Sequence, residues 1–186
     1  MTRILLLEVL DEKLKDYYVS AVKDHNDAIK KKGSMADSGF DLICPETIDI
    51  QLPISKLCST VLINLKVKAA CYDVRNFQVT QIPLLSNDLC RAYDLCVRSS
   101  IYKTSFRLAN NVGIIDSSYR GALHAAMDYN KGYGKNTDRL VNGNRYWQIV
   151  MPNREPFKVY IVQKLNETER GEGGLGSTGK GGLKKQ

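Results

Sequence analysis

Apolar and polar positions follow two different periods along this chain. From Asp11 to Lys32, the residues Leu14, Tyr18, Ala21, Val22, His25, Ala28 and Ile29 recur every three or four positions. That spacing puts them on one face and predicts an amphipathic helix packed against a domain. Asp11 supplies an N-cap, Lys30, Lys31 and Lys32 complement the negative C-terminal end of the helix, and Gly33 provides the stop. After Gly33 the period shortens to two. Ile48, Ile50 and Leu52 alternate with polar residues, as do Val61, Ile63, Leu65 and Val67, and later Phe157, Val159 and Ile161, which predicts half-buried strands. Turn-forming stretches such as CPE, LPI, NGN and MPNREP punctuate these runs, and no strand–helix alternation appears. The predicted class is therefore all-β, a sandwich or barrel, with one inserted helix over about 11–32. From Glu167 onward no apolar pattern remains, which predicts a β domain over 1–166 followed by a flexible glycine-rich arm over 167–186.

At 186 residues, with 43% hydrophobic and 25% charged residues, the chain has the composition of an ordinary globular domain large enough to bury a core. The N-terminal run MTRILLLEVL breaks at Glu8 and has no small-residue cleavage site. It predicts neither a secretion signal nor a membrane span, and hence a cytosolic or nuclear protein with no membrane partner. The five cysteines (Cys44, Cys58, Cys71, Cys90, Cys96) are odd in number, scattered and without a C-x-x-C pair, the pattern of reduced thiols. Two histidines, His25 and His124, lie in no metal-ligand spacing, which argues against zinc. The net charge of +7 favours an anionic partner. The charge is dispersed and not interleaved with aromatics, so a nucleotide fits better than a nucleic acid.

Two stretches carry candidate chemistry. Gly174 to Gly181 reads G-L-G-S-T-G-K-G, one residue short of a phosphate-cradling P-loop. It follows no buried strand, too few residues follow it to build the required helix, and Gly181 replaces the hydroxyl that would ligate magnesium. The second stretch runs from Val97 to Asn130. Asp116 follows the apolar run Gly113-Ile114-Ile115 and precedes Ser117-Ser118-Tyr119-Arg120-Gly121. A carboxylate held at the end of a strand suits a general base that orients water, although such residues also serve as turn formers. Arg98 and Ser99 offer a donor fork and a hydroxyl suited to phosphate oxygens.

Taken in order, these segments resemble the five motifs of the trimeric dUTP diphosphatases (dUTPases). Ser38-Gly39-Phe40-Asp41-Leu42 resembles their A-G-Y-D-L, Val97-Arg98-Ser99-Ser100 their P-R-S-G, and Gly113 to Gly121 matches G-x-I-D-x-x-Y-R-G at every fixed position. Gly143 to Ile149 resembles G-D-R-x-A-Q-L, and Arg170 to Gly179 resembles R-G-x-G-G-F-G-S-T-G with one change. The resemblance implies a jelly-roll β fold, a homotrimer with shared active sites, and hydrolysis of dUTP to dUMP and pyrophosphate with Mg²⁺. It implies that Asp116 activates the water that attacks the α-phosphorus. Tyr119 would pack under the deoxyribose, and the hairpin around Asn110, Gly113, Ile114, Ile115 and His124 would read the uracil edge. Asp41 would anchor the metal through water, and Arg98, Ser99, Ser100 and Gln148 would hold phosphates. The arm, with Arg170, Leu175, Gly176, Ser177 and Thr178, would reach another subunit's site and close over the nucleotide.

The pattern departs from the family at several positions. Leu175 stands where the family has a phenylalanine that stacks on uracil, which predicts a higher KM. Trp147 replaces a small residue, Asn144 replaces an acid, and Ala122 stands where Glu or Asn is frequent. Segments 11–32 and 71–91 are longer than their family counterparts and read as surface insertions. Two rival readings use the same fold. A dCTP deaminase relative would require a glutamate near cytosine C4, and the Asp116 segment offers none. A regulatory nucleotide-binding protein with weak turnover would keep the pocket and relax the chemistry.

Overall fold

In a computed structural model, residues 2–50, 58–75, 77–131 and 139–174 are described. The chain is built of β-strands in several sheets with one α-helix, the all-β class that the alternating pattern predicts. The first strand, β1 (Thr2–Val9), is the apolar N-terminal run. Ile4, Leu5, Leu6 and Leu7 are all buried, because each face of the strand meets a different core. Leu5 and Leu7 join the main core, and Ile4 and Leu6 join a second cluster with Ala70, Tyr72, Val74, Cys90 and Leu165. A strand covered on both faces shows no alternation, so the pattern alone does not reveal it.

The helix α1 (Glu12–Lys32) forms as its caps predict: Asp11 Oδ1 accepts from the Lys13 amide at 3.0 Å, and Gly33 ends the helix at φ 57° with its N–H on the Ile29 carbonyl. The segment is no mere surface insertion, since Leu14 and Tyr18 are buried in the core. Across the helix, Asn26 donates to the Val159 carbonyl at 2.8 Å and accepts from the Val159 amide at 3.0 Å. It thereby satisfies the outer edge of a strand that would otherwise be open to pairing.

That edge strand is β13 (Lys158–Val162), parallel to β1, while β5 (Val67–Val74) runs antiparallel on the other side of β1 and pairs with β6 (Cys90–Arg91). The run Val61–Val67 is two strands, not one. After β4 (Cys58–Asn64) the chain turns at Lys66, at φ 57° and with its amide on Asn64 Oδ1, and leaves one sheet for another. β4 pairs with β10 (His124–Asn130), which pairs with β8 (Phe106–Leu108). Within 71–91, residues 71–74 and 90–91 are paired strands of one sheet, so the excursion is confined to the residues that connect them.

The sheet that carries the candidate site has the order β2 (Gly39–Ile43), β12 (Arg145–Val150), β7 (Tyr93–Val97) and β9 (Gly113–Ile115). A two-residue pair, β3 (Ile48–Asp49) with β11 (Arg139–Leu140), completes the described strands. Trp147 of β12 is fully buried, its indole N–H 3.3 Å from Met127 Sδ and its ring edge-on to Tyr146. The bulk at this position fills the core; the register against β2 shifts between Arg145 and Trp147, and from Trp147 onward the ladder is regular, with Gln148 opposite Cys96 and Asp41.

Candidate active site

Asp116 lies just beyond β9, the edge strand of its sheet. A tight turn follows, with the Tyr119 amide bonded to the Asp116 carbonyl at 3.1 Å. The Tyr119 hydroxyl donates to the Ala122 carbonyl at 2.8 Å, which pulls the ring flat against the backbone. Gly121 permits this, for a Cβ there would sit 2.6 Å from the ring carbon Cζ. Burial raises the Tyr119 pKa, and nearby Glu172 adds to the effect, so the phenol stays neutral and keeps its proton for Ala122. Around this platform, Gly113 of β9 packs on Leu95, Asn111 turns the chain at φ 58°, and Ile114 stands 73% exposed. His124 Nδ1 lies 2.8 Å from the Ala122 carbonyl, and Asn110 accepts from the Val112 amide through its carbonyl. Asn110, Gly113, Ile114, Ile115, Asp116, Tyr119 and His124 thus lie along the stretch that leaves β8, forms β9 beside β7 and returns to the start of β10.

A second group gathers at the far end of the same sheet. Asp41 of β2 pairs with Arg98 Nε at 2.8 Å and Arg145 Nη1 at 3.1 Å. Burial raises the Asp41 pKa while Arg98 and Arg145 oppose the rise. Gln148 donates to the Val97 carbonyl at 3.2 Å, and Gly39 leaves the room for it, since a Cβ there would lie 3.0 Å from Gln148 Cδ. Asp41, Arg98, Ser99 and Gln148 line an open cavity of about 580 Å³, together with Asp37 and Arg154. Ser100 faces the adjoining hollow beside Arg98 and Arg145. Arg145 belongs to the Gly143–Ile149 motif, yet only its ion pair with Asp41 reveals its part in the site.

Register separates the two groups. Tyr93 lies opposite Ile115, so Asp116 stands opposite position 92, whereas Arg98 is six residues further along. At about 3.3 Å per residue that is roughly 20 Å, several times the ~3 Å of a hydrogen bond. Among the described residues, no hydrogen bond or ion pair joins the groups.

The first turn of the arm is laid on the Asp116 end. Arg170 Nη1 pairs with Asp116 Oδ2, and its guanidinium lies 5.9 Å from the centroid of the Tyr119 ring. A Cβ at Gly174 would approach that ring to 2.9 Å, so the arm backbone runs directly over it. Leu175, Gly176, Ser177 and Thr178 lie outside the described residues. Two contributors carried no clear sequence signal: Thr168, which bonds the Ser118 carbonyl at 2.5 Å, and Asn166, which accepts from the buried Arg120 at 3.2 Å.

No family model matches the chain. It is 43% identical over 83 residues to the deoxyuridine 5′-triphosphate nucleotidohydrolase of Escherichia phage T5, a match covering 44% of this chain and about half, 54%, of that relative's length. The protein of the same name from Crocosphaera subtropica is 30% identical over 143 residues, which cover 77% of this chain and 84% of the relative. The chain belongs to the deoxyuridine 5′-triphosphate nucleotidohydrolase (dUTPase) family. Among solved structures, a mutant dUTPase from phage phi11 of S. aureus aligns over 89% of this chain and 98% of its own, at 17% identity and a TM-score of 0.46. Within this dUTPase-family chain, Asp116, Tyr119 and Arg170 gather at one end of the sheet, and Asp41, Arg98 and Gln148 at the other. No helix among the described residues is long and apolar enough to cross a membrane.

Proposed function

We propose that this chain hydrolyses dUTP to dUMP and pyrophosphate, in a homotrimer whose active sites lie between copies. One observation carries the reading: the Asp116 platform and the Asp41–Arg98–Gln148 cavity sit at opposite ends of one sheet, so neither half meets the other within one copy. A neighbouring copy supplies the missing half. Asp116 accepts a proton from a water as the water oxygen bonds to the α-phosphorus. The bond from that phosphorus to the bridging oxygen breaks, and pyrophosphate leaves with the electron pair. Arg98, Ser99, Ser100 and Gln148 of the neighbouring copy hold the phosphate oxygens where charge accumulates. The Tyr119 ring packs under the deoxyribose and leaves no space for a 2′-hydroxyl. Ile114 and Ile115 of the β9 edge, with Asn110 before it and His124 at the start of β10, supply groups for the uracil edge. Leu175, Gly176, Ser177 and Thr178 belong to the segment that closes over the nucleotide, shutting out bulk water.

The residues fit Mg²⁺ arriving with the triphosphate better than a resident metal. Among the described residues no group of three or more His, Cys, Asp or Glu side chains is placed to cage an ion. Asp41 is a single half-buried carboxylate at the wall of the phosphate cavity, suited to hold a hydrated ion through water. When bound, the ion neutralises phosphate charge and orients the chain of phosphates.

The test is pyrophosphate release from dUTP with Mg²⁺, run beside dCTP, dTTP and UTP. Wild type should turn over dUTP preferentially, and Asp116→Asn should lose about 10²–10⁴-fold in kcat, the usual worth of a general base. No dUTP turnover above the Asp116→Asn background defeats the proposal. Ammonia release from dCTP would favour a deaminase, and tight binding without turnover a regulatory binder.

A further inference from the structure

We infer that Arg154, a residue outside the five motifs, binds the terminal phosphates of the nucleotide from the rim of the cavity lined by Asp41, Arg98 and Gln148, and releases Asp94 as it does so. The inference rests on the proposed dUTP hydrolysis and deepens it by naming a residue that distinguishes the triphosphate from the monophosphate product.

Strand parity puts the cavity and Arg154 on one face of the sheet. In β7, Tyr93 and Leu95 are buried in the main core, so Asp94, Cys96 and Arg98 occupy the opposite face. On β12 that face carries Gln148 opposite Cys96 and Val150 opposite Asp94. The cavity of about 580 Å³ extends over it, with Arg98 and Asp41 on one side and Val150 and Arg154 on the other. Arg154 follows the end of β12 in a turn closed by its amide on the Met151 carbonyl at 2.9 Å. Its neighbours fix that turn: Asn153 Nδ2 donates to Glu155 Oε2 at 2.5 Å, and the Glu155 amide donates to Asn153 Oδ1 at 3.3 Å. Arg154 itself takes φ 60°, a left-handed conformation that suits glycine or asparagine and costs energy with an arginine side chain. Strain of this kind points to a role for the residue that bears it. Here the guanidinium reaches back across the sheet to Asp94, with Nη1 at 3.2 Å from Oδ2. Burial and Asp94 raise the Cys96 pKa while Arg154 opposes them, so the same guanidinium also lies beside the Cys96 thiol. Arg98 and Arg145 are both engaged by Asp41, at 2.8 and 3.1 Å. Arg154 is less tightly held, since its ion pair is a single contact and its side chain is 57% exposed, a setting in which an ion pair contributes little. A phosphate accepts two N–H groups of one guanidinium side by side, so exchanging Asp94 for a phosphate strengthens the contact. The α-phosphorus has to sit where Asp116 can deliver water, and the phosphates beyond it are therefore the ones that meet the rim.

Calorimetric binding to the full chain with Mg²⁺ tests this with three probes: the uncleaved analogue α,β-imido-dUTP, dUMP, and inorganic tripolyphosphate. Arg154→Ala should weaken α,β-imido-dUTP and tripolyphosphate about ten- to a hundredfold, the worth of one contact to a charged group, and leave dUMP within about twofold. Arg154→Lys should recover part of that loss. Asp94→Asn frees the guanidinium and should leave the analogue bound as tightly as in wild type or more tightly. An ion pair with only a structural role behaves differently, because breaking it from either side has the same effect. Equal weakening by Arg154→Ala and Asp94→Asn, with a matching fall in Tm, therefore overturns the inference. So does an Arg154→Ala protein that binds the analogue normally, or one that loses dUMP as much as the analogue. If wild type binds tripolyphosphate but neither uridine nucleotide, the dUTP reading fails, and the inference stands or falls on the tripolyphosphate comparison. A wild type that binds none of the three overturns both.

Discussion

Replacing Gly121 with alanine should damage the nucleotide platform without touching a reacting group. The added Cβ would lie 2.6 Å from Cζ and 2.9 Å from Cε2 of Tyr119, well inside the ~3.5 Å at which carbon atoms come into favourable contact. The ring has little freedom to retreat, because its hydroxyl is held by the Ala122 carbonyl at 2.8 Å and the arm backbone at Gly174 lies close against it. The backbone at Gly121 is not in the left-handed region, so the penalty is steric. Overpacking of this kind costs about 1–3 kcal/mol. If the ring stays, the cost appears as lost stability, about 2–4 °C in Tm per kcal/mol for a chain of this size. If the ring swings away, it appears as lost transition-state binding, roughly 5–150-fold in kcat/KM. Thermal unfolding and dUTP kinetics measured together capture both, and in a Tyr119→Ala background the same substitution should be nearly silent, since the clash is gone. A Gly121→Ala protein within 1 °C and twofold of wild type would refute the argument.

Restoring the ring in the arm, Leu175→Phe, should lower KM for dUTP about tenfold, since a base–aromatic stack is worth about 1–3 kcal/mol; an unchanged KM would show that this position does not meet the base. Gly39→Ala should push Gln148 away from the Val97 carbonyl, to which it donates at 3.2 Å, and weaken nucleotide binding measured by calorimetry, while Asp116→Asn should not. Asp73 accepts from Arg3 at 2.7 Å and Arg91 at 2.9 Å, and the hydrogen bond from Arg3 foremost holds its carboxyl below the usual carboxylate range. A depressed native value means stabilisation that is present above the unfolded value of about 3.9 and is lost as pH falls through the native value. Asp73→Asn should therefore lower Tm at neutral pH, by about 1.5–3 kcal/mol of stability, and the two proteins should converge in acid; parallel Tm curves down to pH 3 would contradict this.

What the sequence by itself determined was local chemistry. Asp11, the lysines and Gly33 set the ends of α1 because capping depends on neighbours within a turn. The order Asp116, Tyr119, Gly121 produced a turn and a ring laid on a glycine, again within a few residues. The motif order pointed to the family, which the relatives bear out, and named the candidate site residues. Alternation, however, reports only that one face of a strand is buried. It passed over β1, which is buried on both faces, and it ran unbroken across Lys66, where the chain changes sheets, because each partner strand happens to bury the same parity of residue. The tertiary structure alone decided that Asp116 and Arg98 stand at opposite ends of one sheet, since their separation is a matter of register between strands distant in sequence. It likewise decided that Trp147 is core and that the start of the arm is fastened to its own chain through Asn166 and Thr168. Polar residues in an unpatterned tail reveal anchors only when the groups they bond, many positions away, are folded into reach.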